Sequence, residues 1–286
     1  MASRNSILPW LWLAPTGSLL IPFFLIPIAI TARNSVYVDD PMGILVPGFT
    51  FANYAKVLGD SYYLSVFTNT LLAAGGIALL ALVVSYPFAW LLAQSNGSGG
   101  AFLLWAVYLP IYVSVIMRVF GWMVIVSDSG LLNQALLRLG LVSQPVHILN
   151  EVGGMGLGLI HRYLPLMILP LVTSLRKVDD TMLRASANLG GGRWFTWFRV
   201  VMPISLPGAV AGMQLVFAGV LSDYVIPVLM GSTRFQMLAP AIFYEASTNG
   251  SWALAGAMAT IVLAAVALFL VLANLAVRRV APWASI

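Results

Sequence analysis

The side chains that could carry catalysis or bind a metal are few in this sequence. There is no cysteine, and the two histidines, His147 and His161, have no partner at metal-ligand spacing. A phosphate-binding loop of the pattern G-x-x-x-x-G-K-[ST] is also absent, because the two lysines, Lys56 and Lys177, do not follow glycine. The sequence therefore predicts a non-catalytic protein without a metal site or cofactor. If energy is needed, another subunit must supply it.

Two ionisable residues, Arg118 and Asp223, fall within long apolar stretches. A charge at the centre of a bilayer costs about 3 kcal/mol on insertion scales, so it usually faces a partner or a polar cavity. One hypothesis is that Arg118 and Asp223 form an ion pair that neutralises both. The other is that Asp223 lines a solute path together with Tyr224, Tyr112 and Trp122.

A polar, glycine-rich segment, 179–208, separates two strongly apolar blocks. Asp179 and Asp180 precede Thr181, and a carboxylate there can accept hydrogen bonds from the free N–H groups of a helix start. Gly190 suits a left-handed C-terminal cap, which predicts a helix of about two turns. Such a helix is too short to persist alone in water and needs a docking surface. The alternative is an ordinary interfacial loop.

The residues after this helix predict an anchor at the membrane interface. They form an aromatic cluster with two arginines, followed by two prolines: Trp194, Phe195, Trp197, Phe198, Arg193, Arg199, Pro203 and Pro207. Aromatic rings favour the headgroup level of a bilayer, and the prolines fix the start of the next apolar block.

The elements that position these residues are predicted to be transmembrane helices. Of 286 residues, 60% are hydrophobic and 8% are charged, and the mean hydropathy is +0.95. Soluble domains carry about 25% charged residues, so composition indicates an all-α, polytopic membrane protein. Nucleic-acid binding has no support, because the basic residues are scattered among apolar stretches. Six blocks reach the length of about 20 residues that crosses a bilayer: Pro9–Ala32, Tyr63–Ala93, Ala101–Val126, Gly153–Leu175, Ile204–Met230 and Trp252–Val277.

The distribution of arginine and lysine places both termini in the cytoplasm. With the N-terminus inside, basic residues in the cytoplasmic segments outnumber those outside, as the positive-inside rule requires. The inside set is Arg4, Arg176, Lys177, Arg184, Arg193, Arg199, Arg278 and Arg279. The outside set is Arg33, Lys56, Arg138 and Arg234.

The outside loops carry two further expectations. The loop Asn34–Tyr62 contains several proline and glycine residues and is expected to be partly ordered. The loop Ser127–Val152 contains LLNQALLRLGL, which predicts a short amphipathic helix that lies on the bilayer or caps the bundle. Within the spans, the pairs Gly154/Gly158 and Gly208/Gly212 suit close helix packing.

Within the central segment, Arg184–Ser186, Gly190 and Val200–Pro203 keep a characteristic spacing. It resembles the EAA loop of permease subunits of binding-protein-dependent ABC importers, roughly E-A-A-x3-G-x9-I-x-L-P. Arg184 stands where that pattern has its glutamate, which implies a matching change in the partner groove. In that family the short helix docks on the ATPase subunit. The resemblance therefore implies a coupling role for Thr181, Arg184, Ala185, Ser186, Leu189, Gly190, Arg193 and Pro203.

The resemblance extends over most of the chain. Further matching stretches are Asn69-Thr70, Tyr86–Trp90, Arg118 with Trp122, Asp128–Asn133, and Ser222–Pro227 with Gly231. The stretch Ser222–Pro227 is similar to that of spermidine/putrescine-type permeases in particular. This resemblance implies a type I ABC importer permease fold in one transmembrane domain, 1–286, with a permease core at about 63–277 and a coupling loop at 176–208.

The resemblance to that family implies that the protein passes a small solute, such as a polyamine, across the bacterial inner membrane by alternating access. Carboxylates and aromatic faces suit ammonium groups, so the expected path is Asp223, Tyr224, Tyr112, Trp122 and Arg118, extended at the outer mouth by Glu245 and Asp128. The alternative for Glu245 and Asp128 is a solvated loop charge, and an anionic solute could instead use Arg118. On the path hypothesis, Asp223→Asn impairs cation uptake and leaves assembly intact.

The expected partners are ATPase subunits, a second permease and an extracytoplasmic solute-binding protein. A heterodimer follows from the resemblance, although a homodimer would also enclose a path. The alternative function is a secondary transporter driven by an ion gradient. Such transporters usually show internal repeats, and none is clear in this sequence.

Overall fold

The computed structural model describes residues 8–40, 45–95 and 97–280. Arg4, counted above among the cytoplasmic charges, lies outside these ranges. Thirteen α-helices fall within them: α1 (Leu8–Asn34), α2 (Ala52–Gly59), α3 (Ser61–Gln94), α4 (Gly97–Tyr112), α5 (Val115–Val126), α6 (Leu131–Arg138), α7 (Val152–Leu175), α8 (Asp180–Asn188), α9 (Arg193–Thr196), α10 (Met202–Leu221), α11 (Val225–Met230), α12 (Leu238–Ser247) and α13 (Trp252–Val280). A π-helical turn, Trp197–Val201, joins α9 to α10.

Six helical stretches of the described chain are long and apolar enough to cross a membrane, which confirms the predicted number. They are Ala14–Asn34, Ser61–Gln94, Val115–Arg138, Val152–Leu175, Arg193–Leu221 and Trp252–Arg279. The helix α4 is apolar but shorter. The all-α, polytopic class that composition predicted is therefore confirmed.

Two of the predicted spans are interrupted. The predicted third span, Ala101–Val126, is wrong as a single helix, because α4 ends at Tyr112 and α5 begins at Val115. Pro110 lies just before this break, and proline removes a backbone hydrogen bond from a helix. The predicted fifth span, Ile204–Met230, is wrong at its C-terminal end. Its helix α10 stops at Leu221, and α11 follows only after a non-helical turn.

By backbone contacts the chain separates into two compact units. The first contains the described residues up to Leu64 together with Ile242–Leu263. The second contains Ser65–Ala241 and the described residues from Ala264 onward. Each unit is internally packed around helices that the sequence predicted.

The first unit is tied together by polar contacts of the outside loop. Two short strands, β1 (Val38–Asp39) and β2 (Leu45–Val46), pair antiparallel. The side chain of Asn53 donates to the carbonyl oxygens of Ser35 and Tyr37, both at 2.9 Å. The N–H of Ala253, in the first turn of α13, donates to Asp39 Oδ1 at 3.0 Å. The expectation of a partly ordered outside loop is therefore confirmed for its described residues.

The second unit is built on a close approach of α7 and α10. A Cβ atom on Gly208 would lie 2.4 Å from the carbonyl oxygen of Pro170, and one on Gly212 would lie 2.6 Å from Met167 Sδ. Both positions fall on one face of α10, so the absence of side chains brings the two backbones together. This confirms the packing role predicted for the Gly208/Gly212 pair.

The predicted Gly154/Gly158 pair makes different contacts. Gly154 faces the carbonyl group of Ile148, just before α7, whereas Gly158 faces Ile226 and Met230 of α11. Only Gly158 therefore serves the packing of one helix on another.

The predicted amphipathic helix is present as α6 and is fastened to its own loop. The side chain of Asn133 is fully buried. It accepts a hydrogen bond from the N–H of Val146 at 2.8 Å and donates to the carbonyl oxygen of Ser127 at 3.1 Å.

We expect Gly208→Ala to weaken the α7–α10 contact. The added methyl group must displace a backbone carbonyl, which costs about 1–3 kcal/mol in a packed interior. The expected result is a lower thermal unfolding midpoint of the detergent-purified protein. Gly76→Ala in α3 is the control, because a Cβ there meets nothing within 4 Å. An equal effect of both substitutions would contradict the packing argument.

Candidate functional site

Asp223 lies in the non-helical turn between α10 and α11, where it is only 3% exposed. Its Oδ1 accepts a hydrogen bond from the N–H of Ile226 at 3.2 Å. Its Oδ2 lies 3.0 Å from the Tyr163 hydroxyl and 3.5 Å from Arg162 Nε. The Tyr163 hydroxyl also lies 2.7 Å from the carbonyl oxygen of Gly219. Its single proton is therefore shared between that carbonyl oxygen and the Asp223 carboxylate. The carboxylate is therefore held by groups from α7 and α11.

The close approach of α7 and α10 continues to this turn. A Cβ atom on Gly219 would lie 2.3 Å from Cε1 of Tyr163. The phenol ring therefore fits only because residue 219 has no side chain. This places Tyr163 and its neighbour Arg162 beside Asp223.

The ion-pair hypothesis named the wrong arginine. The partner of Asp223 is Arg162, and Arg118 makes no ion pair with Asp223. In Arg118 the Nε and Nη1 atoms are buried without a hydrogen-bond partner, and the same holds for Nη1 of Arg162. The two guanidinium groups are close enough to repel each other. The cluster thus contains two cations and one carboxylate, so its net charge is positive. An anionic group facing Arg118 would neutralise that charge.

The other predicted path residues are not all brought to this cluster. Trp122 packs its ring on His161 at 5.5 Å, beside the cluster. Tyr224 adjoins Asp223 and is partly exposed, whereas Tyr112 is 79% exposed at the end of α4. Asp128 is exposed and lies 3.0 Å from His147 Nδ1, as suits a solvated loop charge.

Glu245 is buried, which contradicts one of the two expectations for it. It belongs to the other compact unit and is 6% exposed, so the alternative of a solvated loop charge is wrong. The Tyr63 hydroxyl donates to its Oε1 at 2.8 Å. The sequence pattern did not mark Tyr63 or Arg162 as a candidate site residue. The signal for Arg162 was its place in an apolar span, whereas nothing local marked Tyr63.

The central segment begins with a capped helix, as predicted. The N-cap of α8 is Asp179, whose Oδ1 accepts from Thr181 Oγ1 at 2.7 Å and from the Met182 N–H at 2.9 Å. These hydrogen bonds hold the pKa of the Asp179 carboxyl below its ordinary value. Its contribution to stability is therefore present at neutral pH and is lost only as pH falls through the lowered pKa. Gly190 has φ +83° and ends the helix, also as predicted.

The helix α8 is fixed to the rest of the segment. The buried Ser186 hydroxyl lies 2.8 Å from Thr196 Oγ1 of α9. Trp197 then packs on Tyr86 and Trp90 of α3, with ring centroids 5.2 and 5.1 Å apart. The anchor is therefore a set of contacts with α3, in addition to any contact with lipid.

One face of the central segment remains exposed. Leu189 is 89% exposed and Trp194 is 75% exposed, and Arg184, Ala185 and Arg193 are exposed beside them. An apolar side chain exposed to this degree on a capped, fixed helix is typical of a docking surface. We name this surface, α8 together with Leu189, Arg193 and Trp194, the coupling face.

This architecture defines a class: a multi-pass membrane protein in which the coupling face lies between the two most buried membrane-spanning stretches of the described chain. No model of a known protein family matches the chain. The chain is 30% identical to the spermidine/putrescine transport system permease protein PotB of Haemophilus influenzae over 82% of both chains. It is 28% identical to the inner membrane ABC transporter permease protein YdcU of Escherichia coli, over 81% of this chain and 77% of that one.

A solved bacterial alginate ABC transporter, in complex with an alginate pentasaccharide-bound periplasmic protein, has the same fold. The TM-score is 0.75 at 14% identity, over 97% of this chain and 96% of that one. The chain belongs to the family of ABC importer permeases that includes PotB. It is a membrane subunit of the bacterial inner membrane with the type I importer fold. The comparisons give no support to a secondary transporter.

We expect Asp223→Asn to lower the free energy of unfolding by about 2 kcal/mol. This value lies between those typical of exposed and of buried ion pairs, because the Arg162 side chain is partly exposed. Replacing Arg162 as well, in Asp223→Asn/Arg162→Gln, should recover most of that loss. Thermal unfolding in detergent measures both, and the exposed pair variant Asp128→Asn serves as control. Wild-type stability of Asp223→Asn with impaired uptake would instead support direct contact with solute.

Proposed function

We propose that this chain is the permease subunit of an ATP-driven importer for a polyamine of the spermidine/putrescine kind. The observation that carries this proposal is the 30% identity, over 82% of each chain, to a permease named for spermidine and putrescine transport. Transport by such a subunit proceeds by alternating access. The chain itself carries out no catalysis, and ATP hydrolysis belongs to a separate subunit.

We further propose that the solute path includes the residues named from the sequence: Asp223, Tyr224, Tyr112, Trp122, Arg118, Glu245 and Asp128. Asp223 contributes there a carboxylate of fixed orientation, since its oxygens are already engaged by Tyr163, Arg162 and a backbone N–H. The exposed rings of Tyr224 and Tyr112 offer faces for ammonium groups.

The coupling face is the proposed docking site of the ATPase subunit. Capping by Asp179 and Gly190 gives α8 a defined start and end, and the Ser186–Thr196 contact ties it to the helices that follow. Pro203 lies in the first turn of α10, and the Ser186–Thr196 contact spans the glycine turn after α8, so a displacement of α8 can pass to a membrane helix. The coupling residues are Thr181, Arg184, Ala185, Ser186, Leu189, Gly190, Arg193 and Pro203.

Three kinds of partner complete the proposed importer. ATPase subunits bind the coupling face, a second permease encloses the path in a heterodimer, and an extracytoplasmic solute-binding protein delivers the solute. The complex with a periplasmic protein in the alginate transporter supports the last of these by fold alone. The proposed permease core is 63–277, with the coupling loop at 176–208, in one transmembrane domain.

We expect cells that contain the whole complex to accumulate labelled putrescine or spermidine only while ATP is available. Depletion of ATP should stop uptake, whereas collapse of the proton and sodium gradients at constant ATP should leave it unchanged. Uptake that follows an ion gradient and ignores ATP would refute the importer mechanism.

We expect Leu189→Ser to release the ATPase subunit. Leu189 is 89% exposed, so the substitution removes an apolar contact for a partner and almost none within the chain. Co-purification of the ATPase should fall about ten-fold while the thermal unfolding midpoint of the permease stays unchanged. Leu139→Ser is the matched control, since Leu139 is 72% exposed beyond the end of α6. Equal recovery of the ATPase with both variants would place the docking site elsewhere.

A further inference from the structure

Glu245, in the last turn of α12, is a buried carboxylate with neutral partners. The Tyr63 hydroxyl donates to its Oε1 at 2.8 Å, and Asn249 Nδ2 donates to its Oε2 at 2.9 Å. Within the described chain no lysine, arginine or histidine lies within ion-pair distance of it. A buried charge is normally paired, so this one lacks the cation that would offset its desolvation.

The position of Glu245 on its helix is also unfavourable for a carboxylate. The helix α12 runs from Leu238 to Ser247, so Glu245 lies at the end where the helix dipole is negative. The N–H groups of Asn249 and Ser251 bond the carbonyl oxygens of Tyr244 and Glu245, which closes the turn around the side chain. Folding alone would favour a neutral residue here, whereas a bound cation would gain from both the carboxylate and the dipole.

Two tyrosines, Tyr62 and Tyr63, lie close to this carboxylate, and Tyr244 precedes it in sequence. The rings of Tyr62 and Tyr63 meet edge to face with centroids 5.1 Å apart, and Tyr62 is close enough to Glu245 and Tyr244 to interact electrostatically. Tyr63 is buried, but Tyr62 is 43% exposed and Tyr244 is 53% exposed. The carboxylate is therefore buried next to aromatic residues, two of which, Tyr62 and Tyr244, are exposed. Aromatic faces attract cations, and the attraction grows as water is removed.

We propose that Glu245, with Tyr62, Tyr63 and Tyr244, binds a primary ammonium group of the transported solute on the extracytoplasmic side. This inference rests on the proposed function, and it adds the chemical group that is recognised and the place where it is held. Each carboxylate oxygen accepts one hydrogen bond from the protein and keeps capacity for another. A primary ammonium has three N–H donors to use that capacity, whereas a quaternary ammonium has none. The site therefore prefers putrescine and spermidine to their permethylated, quaternary analogues.

The test is uptake by the whole complex carrying Glu245→Gln. Glutamine keeps the volume and the acceptor for Tyr63 but removes the charge, so the protein should fold. We expect KM for putrescine and spermidine to rise about ten-fold or more, with maximal rate and ATP coupling retained. Tyr244→Ala should raise KM a few-fold, as loss of one cation–π face predicts. The matched control is Glu151→Gln, because Glu151 is the other glutamate of the chain and is exposed.

A second measurement reports whether putrescine occupies the Glu245 site, and it does not depend on transport. Dicyclohexylcarbodiimide labels carboxyl groups in apolar surroundings, and mass spectrometry of the whole purified complex can compare Glu245 with Glu151. We expect putrescine to protect Glu245 from labelling and the quaternary analogue to protect it far less.

The outcomes separate the two proposals. Unchanged KM in Glu245→Gln, in a complex that imports putrescine, overturns the ammonium site and leaves the proposed function standing. A wild-type complex that imports neither putrescine nor spermidine refutes the proposed substrate class. Labelling then decides the ammonium site alone, since protection of Glu245 by putrescine supports it and equal labelling with and without putrescine overturns it.

Discussion

The close approach of α7 and α10 is the constraint on which the second unit depends. Glycines on one face of α10 allow its backbone to reach α7, because any side chain there would meet a carbonyl oxygen, a thioether or a phenol ring. In a membrane this contact has little help from the hydrophobic effect, since lipid is as apolar as the helix surface. Shape complementarity therefore decides the packing. The same contact carries Tyr163 and Arg162 to the place where α10 stops.

The helix α10 therefore connects the turn that contains Asp223 to the segment that carries the coupling face. At one end Asp223 occupies a non-helical turn, and its oxygens satisfy an N–H, a hydroxyl and part of a guanidinium. At the other end the π-helical turn and α9 lead to the coupling face. On the proposed coupling role, a helix packed this tightly would carry a displacement of the coupling face to the buried charges. That continuity gives a physical basis for coupling in a permease.

Much of the fold and part of the site could be predicted from local pattern. Span number, the capped helix from Asp180 to Asn188 and the left-handed Gly190 follow from apolar length, capping chemistry and the conformational freedom of glycine, all of which act within a few residues. The breaks before Val115 and after Leu221 were not predicted, because each spans only two or three residues and hardly lowers the hydropathy of the whole apolar block. The partner of Asp223 was missed for a related reason. Arg118 and Arg162 both lie in apolar stretches, and sequence distance does not say which one faces the carboxylate.

The sequence by itself determined that this chain is a six-span membrane protein with a short capped helix in its central segment, because hydropathy and caps are local properties. Its resemblance to ABC importer permeases could likewise be read from the spacing of a few residues. Only the tertiary structure decided which charges are paired. It left Arg118 with buried, unpartnered N–H groups, and it buried Glu245 against Tyr63, where a solvated loop charge was the alternative expectation. Electrostatic pairing depends on distances between helices, and those distances follow from side-chain packing that no single stretch of sequence contains.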